Sequence, residues 1–315
     1  MTKSSMTSLR RNPRGCKSGR ILGQMLLLLA AIALAILLLS PLRQELLAQI
    51  TFRKEKQPKT VRVLCFGDSL TAGMSPPRKK FFPYSKYLQS ELEKLGNETT
   101  ASSSPTSRSG SGSKRQHITY HVDYIGLPGW KTTQFLDTLD DEDHGLRPAI
   151  LDYSKKNKDK PVDGQVAIIL AGTNDIPGLL RSADASSGGL DEDAMVEPLA
   201  KQLFANLMQL HQAALKAGAV RTIALGIPTS AYQAKNSVAF TLVQHVNHHL
   251  RHNIKNENIV FMDFPFNIEH HGDYFAPDGL HFTLEGYQSM GAVLAPIVHK
   301  AVEGWLADPD RNKKR

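Results

Sequence analysis

A serine hydroxyl is a weak nucleophile until a neighbouring base removes its proton. Four segments of this chain carry the groups that such chemistry needs. In FGDSLTAG, at 66–73, a Gly-Asp-Ser turn follows an apolar run and presents the hydroxyl of Ser69. Gly, Asp and Ser all favour turns, so this tripeptide alone also reads as a plain turn. FAPDGLHFT, at 275–283, supplies Asp278 and His281. Their Asp-x-x-His spacing lets the carboxylate hold Nδ1–H of the imidazole while the other ring nitrogen faces a serine. IGLPGWKT, at 125–132, puts Gly129 in a tight turn, where a backbone N–H can approach a ligand closely. LAGTND, at 170–175, ends an apolar run with Asn174, whose side-chain amide donates hydrogen bonds. Attack on an ester carbonyl develops negative charge on oxygen. Donors fixed in advance around that oxygen stabilise the transition state, and losing one costs about 3–4 kcal/mol.

These segments need elements to hold them. Short apolar runs at 61–67, 121–127, 166–172, 221–227 and 258–264 read as strands. Helical stretches at 84–95, 194–217, 238–254 and 284–306 alternate with them. Five strands alternating with helices predict an α/β domain, a doubly wound parallel sheet with helices on both faces. Ligands of such sheets bind beyond the carboxyl ends of the strands. The small or polar TAGMSPP after Ser69 is expected to leave the site open rather than start a helix at once. Residues 97–116, rich in Ser, Thr and Gly, read as a flexible surface insertion that begins with the sequon Asn97-Glu98-Thr99. Residues 181–193 read as a second mobile loop. Loops 74–82 and 176–193 are expected to shape the substrate site.

GDSL at 67–70, the glycine of LPGW, GTND at 172–175 and DGLH at 278–281 resemble, in that order, the four blocks of the GDSL/SGNH hydrolases, over about residues 61–300. The resemblance implies a flavodoxin-like SGNH hydrolase domain over 61–306 and a serine esterase acting on carboxylic esters: acyl esters, lipid esters or acetylated carbohydrates. It implies an acyl-enzyme on Ser69, His281 as general base and acid, and Asp278 orienting His281. The oxyanion hole would be the backbone N–H groups of Ser69 and Gly129 with the side chain of Asn174. No metal or organic cofactor is expected. An acyltransferase using the same serine is an alternative. A non-catalytic, membrane-tethered binding module is another, although every expected site residue is present.

Other candidates have plainer readings. His245, His248, His249 and His252 crowd one helix; His245 and His249 are four apart, but no HExxH arrangement accompanies them, so a polar helix face is expected. His270, His271 and Asp273 either line the cleft or make a polar loop, and the loop is expected. Asp263, at a strand end, is a candidate support for the site. Asp68 is expected to brace the nucleophile turn. Trp130 either packs beside an acyl group or fills space.

Charge placement bears on partners. Residues 1–60 carry eleven Lys/Arg and two Glu; the other 255 carry 27 basic and 28 acidic residues. The basic balance belongs to the N-terminus, so a nucleic-acid-binding fold is not expected. Residues 21–39, ILGQMLLLLAAIALAILLL, contain no charge and as a helix would span about 28 Å, close to a bilayer core. Six cations and no acid precede them, which predicts a signal-anchor helix with residues 1–20 cytoplasmic and the hydrolase domain lumenal or extracellular. A cleaved signal peptide, using the small residues of AIALA, and a secreted product are the alternative. Residues 40–60 read as a linker and 307–315 as a charged tail. Cys16 and Cys65 lie on opposite sides of the apolar run, so no disulfide is expected between them. Cys65 reads as a core residue, and Cys16 as a solvated thiol or, less simply, a palmitoylation site.

Overall fold

The computed structural model describes residues 26–32, 34, 58–77, 80–101, 117–159, 161–184 and 192–308. The chain divides into two compact units, 1–57 and 58–315. In the first, residues 26–32 and 34 are helical and exposed. The rest of the run 21–39, the basic tail, Cys16 and the linker up to residue 57 lie outside the described residues. Among the described residues no helix is long and apolar enough to cross a membrane.

The second unit is built on strand β1 (Lys59–Gly67), which begins two residues earlier than its apolar run. The chain then forms helix α1 (Ser69–Ala72), a hairpin of β2 (Met74–Ser75) and β3 (Lys80–Phe81), helix α2 (Ser85–Ala101) and strand β4 (Ile118–Gly126). Short helices α3 (Thr132–Asp137), α4 (Leu146–Leu151) and α5 (Tyr153–Lys156) lead to β5 (Gly164–Leu170). Helices α6 (Ile176–Asp184) and α7 (Glu192–Lys216) precede β6 (Arg221–Leu225). Then come α8 (Ala231–Lys235), α9 (Ser237–His252), β7 (Ile259–Met262) and the closing α10 (Leu284–Ala307).

The five main strands lie in the order β4-β1-β5-β6-β7, all parallel. This is the doubly wound arrangement expected from the sequence. The chain first steps outward from β1 to β4 and then returns to β5, so the winding reverses between β1 and β5. A crevice opens at such a switch point, at the carboxyl ends of the two strands.

Side chains alternate across each strand. Val61, Val63 and Cys65 of β1, with Val166, Ile168 and Leu170 of β5, pack under α2 and α10. Leu64 and Phe66, with Ala167 and Ile169, pack under α7 and α9 on the other face. Both faces are covered, so the central strands read as continuous apolar runs. Arg62 interrupts β1 yet is buried. It donates to Asp123, Gln165 and the Ala149 carbonyl and lies over the Tyr153 ring, which satisfies its planar fork of donors. At the outer edge of β4, Gln89 takes the Val122 N–H and donates to the Tyr120 carbonyl. Cys65 is buried and free.

Several local expectations are corrected. A short helix does follow the nucleophile turn at once: Asp68 caps α1, and Gly73 closes it in the left-handed region. Residues 97–101 of the expected insertion continue α2, and the Asn97 side chain lies 3.1 Å from His117 Nε2; 102–116 lie outside the described residues. Residues 176–184 are helix, not loop. Ile176, Leu179, Leu180 and Ala183 give that segment an i, i+3, i+4, i+7 pattern, and Pro177 sits in the first turn, where its missing N–H costs little. Residues 185–191 lie outside the described residues, as do 309–315.

Candidate active site

β1 ends at Gly67, squeezed against β5. A Cβ there would lie 2.0 Å from the Leu170 carbonyl oxygen, so only glycine allows the two strand ends to approach this closely. The next two residues turn over the switch point. Asp68 Oδ1 accepts the Leu70 N–H at 3.0 Å, the bond that starts α1. Asp68 is fully buried, and burial pushes its carboxyl up to about 7 against the pull of the Leu70 N–H. This makes Asp68 a brace of the turn. Ser69 follows, nearly buried.

The partner of Ser69 comes from 212 positions away. His281 lies in a reversal of the chain between β7 and α10. Phe275 and Phe282 form an isolated antiparallel bridge, and the Ala276 N–H donates to the His281 carbonyl at 2.7 Å. Phe282 is fully buried among Phe264, Phe266, Phe275 and Tyr287, which anchors the adjacent imidazole. His281 Nε2 lies 2.8 Å from Ser69 Oγ, and Nδ1 lies 2.6 Å from Asp278 Oδ2. The other Asp278 oxygen accepts the N–H groups of Leu280 and His281. Burial raises the Asp278 carboxyl, but the His281 imidazole and these two N–H groups outweigh it and hold it below its ordinary value. An anionic carboxylate on Nδ1–H leaves Nε2 free to accept the serine proton.

Two turns border the nucleophile. The Leu127 N–H donates to the Gly67 carbonyl at 2.8 Å, and the Trp130 N–H closes a turn onto Leu127. Pro128 and Gly129 occupy its centre, and Gly129 has φ +82°. Proline followed by a positive-φ glycine is the signature of a type II turn. The N–H groups of Ser69 and Gly129 have no hydrogen-bond partner among the described residues. Asn174 follows β5. Its amide donates to the Trp130 carbonyl at 3.0 Å and to Asp68 Oδ2 at a longer 3.3 Å. The shorter bond orients the amide.

The structure thus joins Ser69, His281 and Asp278 in one hydrogen-bonded chain and ties the Gly129 turn and Asn174 to the same strand ends. Sequence reasoning missed a second tie. Asp175 accepts the Thr132 hydroxyl at 2.6 Å and the Thr132 N–H at 3.0 Å, and Asn206 of α7 donates to the same hydroxyl at 3.0 Å. Asp175 stood beside Asn174 in the sequence, but nothing local paired it with Thr132.

The remaining candidates are held by contacts of their own. Asp263 is exposed and pairs with Arg251, so it supports a surface contact rather than the site. His245 and His249 straddle Glu197 of α7 at 2.9 and 3.2 Å; a hydrogen bond from His245 holds the Glu197 carboxyl down to about 2. Among the described residues no group of three or more His, Cys, Asp or Glu is arranged to hold a metal ion. His271 stacks on Tyr274 and accepts the Asn267 N–H, and the His270 N–H donates to Asn267, as a polar loop would. Trp130 packs on Phe135 and His144.

A search of the curated proteins finds no match. The fold is similar to that of the lipase Lip_vut3 from a goat rumen metagenome, with a TM-score of 0.50 and 16% identity over 76% of this chain and 97% of that one. Other similar solved structures include a lipase/acylhydrolase from Enterococcus faecalis (17% identity, 75% and 94% covered, TM-score 0.40). A carbohydrate esterase family 3 from Talaromyces cellulolyticus is also similar (14% identity, 78% and 99% covered, TM-score 0.43). The family model described as GDSL-like Lipase/Acylhydrolase matches residues 65–289, a span that runs from the end of β1 through His281 into α10. The chain therefore belongs to the GDSL-like lipase/acylhydrolase family and is an ester-hydrolysing enzyme.

Proposed function

We propose that this chain hydrolyses carboxylic esters through an acyl-enzyme on Ser69. The observation that carries the reading is the Ser69 Oγ to His281 Nε2 contact of 2.8 Å, continued by the 2.6 Å contact of Nδ1 with Asp278. Ser69 Oγ attacks the ester carbonyl as His281 Nε2 takes the hydroxyl proton. The carbonyl oxygen becomes an anion held by the N–H groups of Ser69 and Gly129 and by the Asn174 amide. Collapse of the tetrahedral intermediate breaks the bond to the alcohol, which leaves with the proton from His281. Water then attacks the acyl carbon, giving its proton to His281; collapse of this second intermediate breaks the bond to Ser69 Oγ, which takes the proton back from His281 as the acid leaves. Asp278 remains anionic and holds the imidazole in one orientation throughout. The substrates are small acyl esters, lipid esters or acetylated carbohydrates. Hydrolysis of p-nitrophenyl esters of graded chain length tests the reaction and ranks the acyl groups. Ser69→Ala and His281→Ala are expected to lose it, and a Ser69→Ala enzyme as active as the parent would refute the mechanism.

The proposal extends to the chain's placement. Residues 21–39 act as a signal-anchor helix, 1–20 are a cytoplasmic tail, 40–60 are a linker, and the hydrolase domain over 61–306, ahead of the charged tail 307–315, faces the lumen or the exterior. Its support is the uncharged run and the six cations that precede it. Alkaline carbonate should leave the protein in the membrane, and protease should spare the domain in sealed vesicles until detergent is added. Release by carbonate with a new N-terminus inside 21–39 would identify a cleaved signal peptide instead.

A further inference from the structure

We infer that Asp175 is a positioning residue that locks the oxyanion donors on two separate loops into one arrangement; the inference rests on the serine mechanism proposed above. Gly129 and Asn174 belong to turns that follow different strands, β4 and β5, and 45 positions of chain separate them. An oxyanion hole works only if such donors are held at fixed separations before the substrate arrives. Two consecutive residues of the β5 turn grip the β4 turn at alternate positions. Asn174 binds the carbonyl of Trp130, and Asp175 binds the N–H and hydroxyl of Thr132. Trp130 directly follows Gly129, so the clasp spans the three residues after the donor.

The partners of Thr132 fix the direction of its hydroxyl. The Asn206 amide can only donate to Oγ1, so the Thr132 proton points to Asp175 Oδ1, 2.6 Å away. Thr132 is fully buried and Asp175 nearly so. Burial raises the Asp175 carboxyl, opposed by the hydroxyl and N–H of Thr132. The Lys131 cation also favours its charged form, but less than the bonds from Thr132 do. A carboxylate buried on such terms is costly to the fold. Its contacts converge on one residue of the opposing turn, and that distinguishes a clasp from general core packing.

A displacement of about 1 Å at the reacting centre costs about 100-fold in rate. In Asp175→Ala, kcat per folded molecule should fall about 100-fold while KM stays within about threefold, because the donors act on the transition state more than on bound ester. Thr132→Val keeps volume and the N–H but loses the hydroxyl, and should lower kcat about tenfold. Asp175→Asn keeps an acceptor at Oδ1 and should lie between Asp175→Ala and the parent. Folded fraction and melting temperature are measured alongside. A purely structural role predicts lowered melting temperatures with kcat per folded molecule within about threefold of the parent in both Asp175→Ala and Thr132→Val; that result overturns the inference. Should Asp175→Ala not fold, Thr132→Val decides alone. Ser69→Ala separates the two ideas: if it stays active the serine mechanism fails, whereas an inactive Ser69→Ala with fully active clasp variants removes only the clasp.

Discussion

Asp68→Asn tests the electrostatics beneath the nucleophile. Asp68 is completely buried, and burial lifts its carboxyl from an ordinary 3.8 to about 7. Between these values the unfolded chain has released the proton that the folded chain keeps. The contribution of Asp68 to stability therefore falls as pH rises through this window and is level above and below it. Each pH unit is worth about 1.4 kcal/mol, so about three units amount to about 4 kcal/mol. Asparagine caps a helix as well as aspartate does, and it does not titrate. The stability of Asp68→Asn relative to the parent should thus rise by about 4 kcal/mol from pH 4 to pH 7.5. Urea unfolding followed by the fluorescence of Trp130 and Trp305, at several pH values, measures this difference. Parallel stability curves for parent and variant would show that Asp68 ionises normally in the fold, and the account of the buried brace would be wrong.

Three further outcomes follow from the geometry. Asn174→Ala should lower kcat by about 10²–10³-fold in steady-state ester hydrolysis, with KM changing little. Asp278→Ala should cost about 10²–10⁴-fold in kcat; because the Asp278 carboxyl is held below its ordinary value, the stability it contributes should be full above about pH 4 and vanish in more acid solution, as urea unfolding of parent and variant would show. Gly67→Ala, which drives a Cβ to 2.0 Å from the Leu170 carbonyl, should destabilise by about 3 kcal/mol, read as a lowered melting temperature.

The central strands were legible because they are buried on both faces, and a run such as VRVLCF has few other readings. The four motif segments were legible because each ends a strand or lies in a turn, where local chemistry and function coincide. What escaped depends on pairing at a distance. The sequence shows Asp175 beside Asn174, but only the folded chain brings it to Thr132, 43 positions earlier. Asn174 reads as a free donor, yet its amide is already engaged by Trp130 and Asp68. Asp263 sits at a strand end like a supporting residue, and Arg251 claims it on the surface. Helix α6 was obscured by Gly178 and Pro177, which suggest a loop unless the spacing of Ile176, Leu179 and Leu180 is weighed against them. Helix α1 has only four residues, too few for any periodic signal.

In the proposed mechanism Ser69 forms the covalent bond to the acyl group. A fluorophosphonate reacts with an activated serine and stays attached, so mass spectrometry of the labelled, digested protein reads the site directly. A single adduct is expected on the peptide containing Ser69, with no adduct in Ser69→Ala and much slower labelling in His281→Ala. Labelling that persists in Ser69→Ala, or an adduct on another residue that accompanies the loss of activity, would contradict that mechanism.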